Sequence, residues 1–415
     1  MQPSRSNQKG PGKLRALFAQ REFVAYFAGR QTGWMASAIE DVAIGWQVFS
    51  IRHQPLDLGI VGLILFLPQL LLALPAGIIA DRLDRRTVCV AVALTNTIGS
   101  ALMIGLIYRH TATLPPYYIA IAFIGISYAV GAPAQRAILA SIVSGESFVR
   151  ASAFTSSIAQ LVAICGPALA GVLIAIATPL AFCAAVLLQI VSACGFFLLS
   201  PQPPPAPDES EPSLWRGALE GVRYIFDRKV ILGAISLDLF AVLFGGATAL
   251  LPAFATQILH VGPTGYGLLR AAPGLGAAIV AAFIVGRSIE RRAGPLLFSC
   301  VAGFGAFTIV FGISRNVWVS AIALAMTGAF DMVSMVIRSA LVQLRTPNAM
   351  RGRVNAVESV FIGASNELGA FESGTLASFA GTQASVVLGG CATLAVIALW
   401  AILFPSLRSF DRLEE

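Results

Sequence analysis

Twelve long apolar segments recur along the 415-residue chain, and most of the charged residues lie between them. Most of these segments exceed the roughly 20 residues that an α-helix needs to cross a hydrocarbon core about 30 Å thick. Long unbroken apolar runs indicate membrane-spanning helices, whereas a barrel would show ten-residue alternating patterns. The predicted spans are 23–50, 57–80, 87–108, 115–142, 151–177, 179–200, 229–257, 262–286, 294–313, 317–344, 354–380 and 383–405.

The composition places these segments in lipid. Only 12% of the residues are charged, whereas an average soluble domain carries about 25%. A soluble chain of this length would need more charge to cover its surface, so the outer surface is expected to face a bilayer. The six cysteines all lie in apolar segments and form no C-x-x-C pair, which argues against a disulfide framework or a zinc site. The apolar segment after residue 22 is too long for a signal peptide and is interpreted as a retained first span.

The basic residues indicate how the spans are oriented. If both termini are cytoplasmic, the inner segments hold 21 of the 28 Lys and Arg residues. The outer segments are assigned Arg52, Arg109, Arg270 and Arg315. A missed or additional span would place later basic clusters outside, against the positive-inside rule. The net charge of +7 is therefore attributed to membrane topology, and binding to nucleic acid is not expected.

A long polar interruption divides the chain into two halves of six spans each. It starts with PQPPPAPDESEP, whose prolines are incompatible with a helix. It continues as an amphipathic helix, predicted to be interfacial, with one apolar face formed by Leu214, Trp215, Leu219, Val222 and Ile225. The predicted organisation is a cytoplasmic basic tail over 1–22, a six-helix bundle over 23–200, a cytoplasmic Pro-rich linker over 201–228, a second six-helix bundle over 229–405 and a cytoplasmic tail over 406–415.

The two halves also repeat each other in sequence. Leu83-Asp84-Arg85-Arg86 is matched 206 residues later by Ile289-Glu290-Arg291-Arg292. At an offset of 203 residues, the matching positions are Gly166 with Gly369, Gly171 with Gly374, and Arg150 with Arg353. Offsets this similar predict a duplicated six-helix unit, as in transporters built from two parallel repeats.

The loop between the second and third spans carries the strongest local motif, Gly77-Ile-Ile-Ala-Asp81-Arg82-Leu-Asp84-Arg85-Arg86. It resembles the G-x-L-A-D-R-x-G-R-[RK] loop of the major facilitator superfamily, although Asp84 replaces the second glycine and an isoleucine replaces the leucine. A carboxylate beside guanidinium groups near a helix end can hold two bundles together through charge-assisted hydrogen bonds and a helix-dipole contact. The resemblance implies a cytoplasmic gate in which Asp81 and Arg85 close one state. The alternative is a basic inner loop that only reflects topology.

The fifth span contains Gly166-Pro167-Ala-Leu-Ala-Gly171, which resembles the G-P-x-x-G-G pattern of exporters in that superfamily. Ala170 stands where a glycine is usual. A proline beside a glycine kinks a helix and lets a partner helix approach closely. The pattern favours export over import. Within the superfamily, the segment 350–374 makes the chain most similar to the bacterial efflux branch that includes enterobactin-exporter-like and macrolide-efflux-like proteins.

Ionisable residues inside the spans are energetically costly and are therefore functional candidates. In the superfamily fold, spans one, four, seven and ten line a central cavity, so the resemblance implies that some of these residues face it. A carboxyl group removed from water holds its proton more readily, and a nearby arginine opposes this, so such a group can carry a proton in one state and release it in another. The candidates for proton coupling or for the substrate cavity are Arg30, Asp41, Asp238, Asp331, Arg338, Asn366 and Glu367.

Structural roles are the alternative for several of these residues. Asp331 and Arg338 lie seven residues apart on one helical face and could form a structural pair. Glu358 and Arg136 lie within two turns of the predicted inner surface and could reach the interface, as long side chains do.

Together these patterns predict an all-α integral membrane protein with twelve transmembrane helices in two pseudo-symmetric six-helix bundles, the major facilitator fold. The resemblance implies a monomeric secondary transporter of the bacterial inner membrane, surrounded by lipid, that works by alternating access. The main prediction is a proton-coupled exporter of small amphiphilic molecules of the drug or siderophore class. An importer or facilitator of a small metabolite is the alternative.

A permease subunit of an ATP-driven pump and a membrane-embedded enzyme are the third class considered. The chain lacks a G-x-x-x-x-G-K-[ST] loop for ATP, and it has no His/Cys/carboxylate cluster suited to a metal. The predicted function therefore includes no enzymatic activity, no catalytic residue, no cofactor and no metal.

Overall fold

The computed structural model describes residues 17–143, 145–202, 214–284 and 292–411. Within these ranges the chain is helical and contains no β-strand. The helices are α1 Arg21–Arg52, α2 Pro55–Arg82, α3 Arg85–Tyr108, α4 Pro115–Ile142, α5 Glu146–Ile176, α6 Thr178–Phe197, α7 Leu214–Asp227, α8 Lys229–Phe244, α9 Pro263–Ile284, α10 Ala293–Ile313, α11 Val317–Arg345, α12 Asn348–Ala380, α13 Thr382–Leu403 and α14 Pro405–Arg408. The predicted tails over 1–16 and 412–415 and the Pro-rich part of the linker over 203–213 lie outside the described residues.

Membrane-spanning character follows from length and apolar composition. In the described part of the chain, ten helical segments are long and apolar enough to cross a bilayer. The long helices α1 and α12 are not among these ten, since they carry several charged residues along their length. Polar residues within a membrane bundle are expected to face its interior rather than lipid, so these two helices are the natural place to look for a functional site.

The seventh predicted span, 229–257, is not one continuous helix. Helix α8 ends at Phe244, and Gly245 and Gly246 follow before the chain continues as a short 3₁₀ helix and a π-helix to Ile258. The interruption coincides with a close helix contact: a methyl group added at Gly246 would lie 2.7 Å from the carbonyl oxygen of Gly369 in α12. Irregular backbone at membrane depth is tolerated where protein covers it or where it lines a cavity.

Helix packing follows the internal repeat. In the amino-terminal half, α1 packs on α5 and α6, α2 on α4, and α3 on α4 and α6. The corresponding helices of the carboxyl-terminal half make the same pairs, since α8 packs on α12 and α13, α9 on α11, and α10 on α11 and α13. The two bundles then meet through α2 with α12 and through α5 with α9, which are again equivalent pairs.

The repeated glycines occupy equivalent contacts in the two bundles. Gly166 of α5 packs against Ala38 of α1, and Gly369 of α12 packs against the backbone of Leu243 in α8. Ala38 and Leu243 are 205 residues apart, close to the offset of 203 that relates the two glycines. The sequence repeat is thus matched by a repeat in helix contacts.

Linker helix α7 is packed on the carboxyl-terminal bundle. Ile225 is fully buried there, and Gly221 lies against the backbone of Arg353 at the start of α12. The guanidinium of Arg353 also forms an ion pair with Glu220. Leu219 of the predicted apolar face is 69% exposed, whereas Ile225 and the glycines of α7 form the contact with the bundle. The interfacial position of α7 stays a prediction.

Candidate transport cavity

A cavity of about 590 Å³ lies between the two bundles. Residues of α1, α2 and α4 line it from the amino-terminal half, and residues of α8 to α12 line it from the other half. Most of its wall is apolar or glycine. The described polar and charged lining residues are Asp41, Gln69, Tyr128, Thr248, Tyr266, Arg270, Thr308, Thr327, Asp331, Asn366 and Glu367.

Asp41 is the acidic residue that the amino-terminal bundle contributes to this lining. Its carboxylate is exposed to the cavity and accepts a hydrogen bond of 3.1 Å from the hydroxyl of Tyr128 in α4. The positive charge of Arg270 in α9 and the carboxylate of Glu367 in α12 both act on it electrostatically. Groups from both bundles therefore meet at Asp41.

Arg270 is the functional candidate that sequence reasoning missed. It was assigned to an outer segment, but it lies within α9, two turns after Pro263, and lines the cavity. Its guanidinium acts electrostatically on Asp41 and Glu367, yet it has no carboxylate within 4.0 Å among the described residues. Its depth within a predicted span was the signal that could have identified it.

The carboxyl-terminal bundle also contributes the carboxylates of Asp331 and Glu367 and the amide of Asn366 to the cavity wall. Asp331 is exposed to the cavity, and Glu367 is partly buried. The amide of Asn366 donates a hydrogen bond of 2.9 Å to the carbonyl oxygen of Ile362, one turn earlier in its own helix. Four of the seven predicted candidates, counting Asp41, thus line one cavity.

Asp238 and Arg338 lie inside the carboxyl-terminal bundle rather than on the cavity wall. The guanidinium of Arg338 in α11 forms an ion pair with Asp238 of α8. Its Nε also donates to Glu358 of α12 at 3.3 Å. Glu358 is only 13% exposed, so the interpretation that it reaches the membrane interface is wrong. Arg338 joins three helices in this way and pairs with Asp238 instead of Asp331.

Arg30 also lies away from the cavity lining, nearer the amino terminus of α1. Its guanidinium donates to the hydroxyl of Tyr26 at 2.6 Å and stacks over the ring of Trp34 at 4.6 Å from the centroid. The Tyr26 hydroxyl in turn donates to the carbonyl oxygen of Gln135 at 3.2 Å, which ties α1 to α4. Arg30 and Asp41 therefore have separate surroundings.

The loop motif is described only in part, because the surroundings of Gly77 and the side chain of Asp81 are not described. Asp84 caps α3: its Oδ1 accepts from the backbone N–H of Arg86 at 2.9 Å and from that of Gln202 at 3.1 Å. The residue that departs from the family pattern therefore supplies a helix cap.

The arginines of the loop motif differ in their surroundings. Arg82 is exposed, and the guanidinium of Arg86 lies 4.6 Å from the ring centroid of Phe197. The Nε of Arg85 is buried without a hydrogen-bond partner in the described part of the chain. Arg85 thus retains donor capacity for another group.

The Gly166–Gly171 motif lies where α5 contacts both its own bundle and the other one. Gly166 packs against Ala38, where an added methyl group would lie 2.5 Å from that side chain. A methyl group added at Gly267 in α9 would lie 2.5 Å from the carbonyl oxygen of Pro167. Gly171 faces the same helix. These residues therefore form part of the contact between the bundles.

The end of the cavity near the carboxyl terminus of α1 is closed. Phe49 and Leu58 of the amino-terminal bundle form a buried apolar cluster with Ala253 of the other bundle. The side-chain amide of Gln257 donates to the carbonyl oxygen of His53 at 3.3 Å across the same junction. This is the end that the charge distribution predicts to be periplasmic.

Within the described ranges, no group of three or more His, Cys, Asp or Glu side chains is placed to hold a metal ion.

Comparison with known proteins agrees with this architecture. Residues 15–414 match the model of the family described as transmembrane secretion effector. The enterobactin exporter EntS of Citrobacter koseri is 27% identical over 411 residues, covering 96% of this chain and 95% of that protein. EntS of Escherichia coli O81 is 26% identical with the same coverage.

Solved structures share the fold at low sequence identity. The nucleoside transporter NupG (D323A mutant) is similar with a TM-score of 0.70 at 12% identity, over 93% of this chain and 100% of that one. The D-xylose–proton symporter gives a TM-score of 0.70 at 13% identity, over 94% and 99%. The chain therefore belongs to the transmembrane secretion effector family and is a multi-pass secondary transporter with the major facilitator fold.

Proposed function

We propose that the protein exports small amphiphilic molecules of the siderophore class, with drug-like molecules as a related group, in exchange for protons. The observation that carries this proposal is the cavity between the bundles, whose described lining holds the carboxylates of Asp41, Asp331 and Glu367 and the guanidinium of Arg270. The full-length similarity to enterobactin exporters supports the substrate class.

Carboxylates in a partly desolvated cavity suit proton exchange. A proton and a hydrogen-bond-donating substrate, such as a catechol, compete for the same carboxylate oxygens. Asp41 is the leading candidate because it is accessible from the cavity and already accepts from the Tyr128 hydroxyl at 3.1 Å. Glu367 and Asp331 are the further candidates on the opposite wall.

The loop motif is proposed to close the cytoplasmic side in one state of the cycle. Asp81 and Arg85 are the central residues, and the unpartnered Nε of Arg85 supports this role because it can donate to another group when the bundles move. Pro167, with its glycine neighbours, is proposed to act in the opposite closure, since the carbonyl oxygen of Pro167 faces Gly267 across the bundle contact.

The orientation is proposed from charge. Placing both termini in the cytoplasm puts 21 of the 28 basic residues on the inner side of the inner membrane. A single chain supplies both halves of the cavity, which supports function as a monomer. Tags on the two termini should both be accessible only from the cytoplasm.

Substrate-driven proton movement tests the coupling. Purified protein is placed in proteoliposomes that enclose a pH-sensitive dye, and enterobactin is supplied across an imposed pH gradient. We expect enterobactin to drive proton movement in the opposite direction and the Asp41→Asn variant to abolish it. Asp227→Asn is the matched control, because Asp227 is exposed at the end of α7 and is not a lining residue of the cavity. Enterobactin transport that persists unchanged without a pH gradient would contradict proton coupling.

Import on the same fold is the second candidate, and the direction of cellular accumulation separates it from export. Removal of the protein should raise the accumulation of an exported toxic compound. Lower accumulation after removal would show uptake and overturn the export proposal.

A further inference from the structure

The face of α1 that lines the cavity continues toward the amino terminus of the helix. Trp34 and Arg30 lie seven and eleven residues before Asp41, so both lie within about 20° of its direction around the helix axis. The rise of the helix places them roughly 10 Å and 16 Å from Asp41. Trp34 is exposed, as Asp41 is, whereas Phe49 on the other side of Asp41 belongs to the closed end. The cavity-lining face therefore extends away from the closed end, past Trp34, to Arg30.

Arg30 has unused hydrogen-bond donors in this position. A guanidinium carries five N–H groups, and that of Arg30 donates to the hydroxyl of Tyr26 at 2.6 Å. Its Nε is buried without a hydrogen-bond partner, and no carboxylate lies within 4.0 Å of the guanidinium in the ranges that the structure describes. Arg338, the buried arginine of the other bundle, is instead held by Asp238 and Glu358. An arginine inside a span without a counter-charge is costly, and an anionic ligand supplies that charge.

The neighbouring charged residues do not neutralise Arg30. Between Glu22 and Glu40, α1 has no acidic residue, and α4 has none along its whole length. Both of these carboxylates are hydrogen-bonded to serines elsewhere in the bundle. Arg136 of α4 is exposed and directly follows Gln135, the residue whose carbonyl oxygen ties α4 to α1. This part of the amino-terminal bundle therefore carries an excess of positive charge.

Aromatic rings flank the guanidinium of Arg30. It stacks over Trp34 at 4.6 Å from the ring centroid, and Trp34 remains 36% exposed. One turn before Arg30, Phe27 packs against Phe154 of α5 with ring centroids 5.3 Å apart. Phe18, which is exposed, packs on both of these phenylalanines. A cation beside exposed rings suits a ligand that joins an aromatic ring to a negatively charged group.

We propose that Arg30 and Trp34 form a binding site for anionic aromatic molecules, separate from the central cavity and on the side of it away from the closed end. The guanidinium of Arg30 binds the anionic group, and the ring of Trp34, with Phe27 nearby, packs against the aromatic part. During export a substrate meets this site before it reaches Asp41, roughly 10 Å further along α1. The inference rests on the proposed export function and narrows its substrates to amphiphilic molecules whose polar group is an anion.

Binding of 2-naphthoate tests the site, with 2-naphthamide as the uncharged ligand of similar shape. Isothermal titration calorimetry of the full chain in detergent gives the ratio of the two affinities. In the parent chain we expect naphthoate to bind about tenfold more tightly, the order of one hydrogen bond to a charged group. Arg30→Gln should reduce this ratio to about one, because it removes the charge. Trp34→Leu should weaken both ligands about threefold to tenfold, because it removes the aromatic contact.

Two further variants locate the bound anion. Arg270→Gln removes the arginine that lines the central cavity and should keep the preference for naphthoate. Arg315→Gln, which removes an exposed charge outside the cavity lining, is the matched control and should match the parent chain. Trp34 is exposed, so Trp34→Leu tests the site even if Arg30→Gln does not fold.

The outcomes separate this inference from the proposed function. A preference for naphthoate that is lost in Arg270→Gln and kept in Arg30→Gln would place the anion in the central cavity and overturn the site. Equal affinities of the two ligands in the parent chain, or unchanged affinities in Trp34→Leu, would also overturn it. Calorimetry requires no transport. A preference that depends on Arg30, without enterobactin-driven proton movement, would therefore support the site and reject the proposed exchange.

Discussion

Gly171 of α5 and Gly267 of α9 pack backbone to backbone at the contact between the two bundles. A methyl group added at Gly171 would lie 2.9 Å from the Cα of Gly267 and 2.7 Å from the carbonyl oxygen of Pro263. The equivalent pair in the other half of the repeat is Gly374 of α12 with Gly59 of α2, where the added methyl group would lie 2.8 Å from the Cα of Gly59. Both contacts between the bundles therefore exclude a side chain.

Substitution of Gly171 by Ala should destabilise the protein by about 1–3 kcal/mol, because the added methyl group overpacks a backbone contact. Thermal unfolding in detergent measures this, and the initial rate of transport in proteoliposomes should fall in parallel. Gly105→Ala is the matched control: Gly105 is exposed in α3 with no atom within 4 Å of the added group, so this change should be neutral or slightly stabilising. Equal effects at the two positions would contradict the packing argument.

Substitution of Arg338 by Met should cost about 3–5 kcal/mol, since it leaves the carboxylates of Asp238 and Glu358 buried without their cation. The comparison is Arg353→Met, which breaks a more exposed pair with Glu220 and should cost at most about 1 kcal/mol. Chemical denaturation of both variants in the same detergent measures the difference. If the ranking were reversed, the pair with Asp238 would not be a structural element.

Substitution of Ser100 by Ala should destabilise the amino-terminal bundle by about 1–3 kcal/mol, because the buried carboxyl group of Glu40 loses its hydrogen-bond partner at 2.5 Å. Ser50→Ala is the control, since the Ser50 hydroxyl is exposed and bonds only to the nearby carbonyl oxygen of Gln47. Melting temperatures of the two variants check the prediction. A Ser100 variant that melts with the parent would show that the carboxyl group finds another partner.

Substitution of Asp84 by Ala should lower the stability of the loop between α2 and α3 by about 1 kcal/mol, since it removes the cap of α3. Asp84→Asn should keep most of this stability, because an amide oxygen can accept the same N–H groups. Hydrogen exchange of the first amides of α3 distinguishes the variants. Faster exchange in both variants alike would show that the charge, rather than the cap, stabilises this end.

The main features of the fold follow from the sequence, whereas several local features do not. The apolar segments, the basic clusters and the repeated glycines predict two similar bundles, because each depends on residue type and spacing alone. The interruption after Phe244 was not predicted, because glycines such as Gly245 and Gly246 also occur within continuous membrane helices. It lies where α12, which is far away in sequence, approaches the backbone closely.

The sequence points to single residues of the cavity lining, whereas it does not point to their partners. Asp41 stands out because a carboxylate within an apolar span is costly. Arg270 was missed because an arginine near the start of a span is easily assigned to the adjoining outer loop. The pairing of Arg338 with Asp238 instead of Asp331 depends on how α8 and α11 face each other, which no local spacing specifies.

The two glycine pairs have a mechanical consequence. The straight line through the contacts Gly171–Gly267 and Gly59–Gly374 is a natural rotation axis for one bundle relative to the other. Rotation about this line keeps both glycine pairs in contact while distances elsewhere between the bundles change. Larger side chains at these glycines should therefore slow both conformational transitions of the cycle, outward and inward. They should leave the substrate affinity of the inward-facing and outward-facing states nearly unchanged.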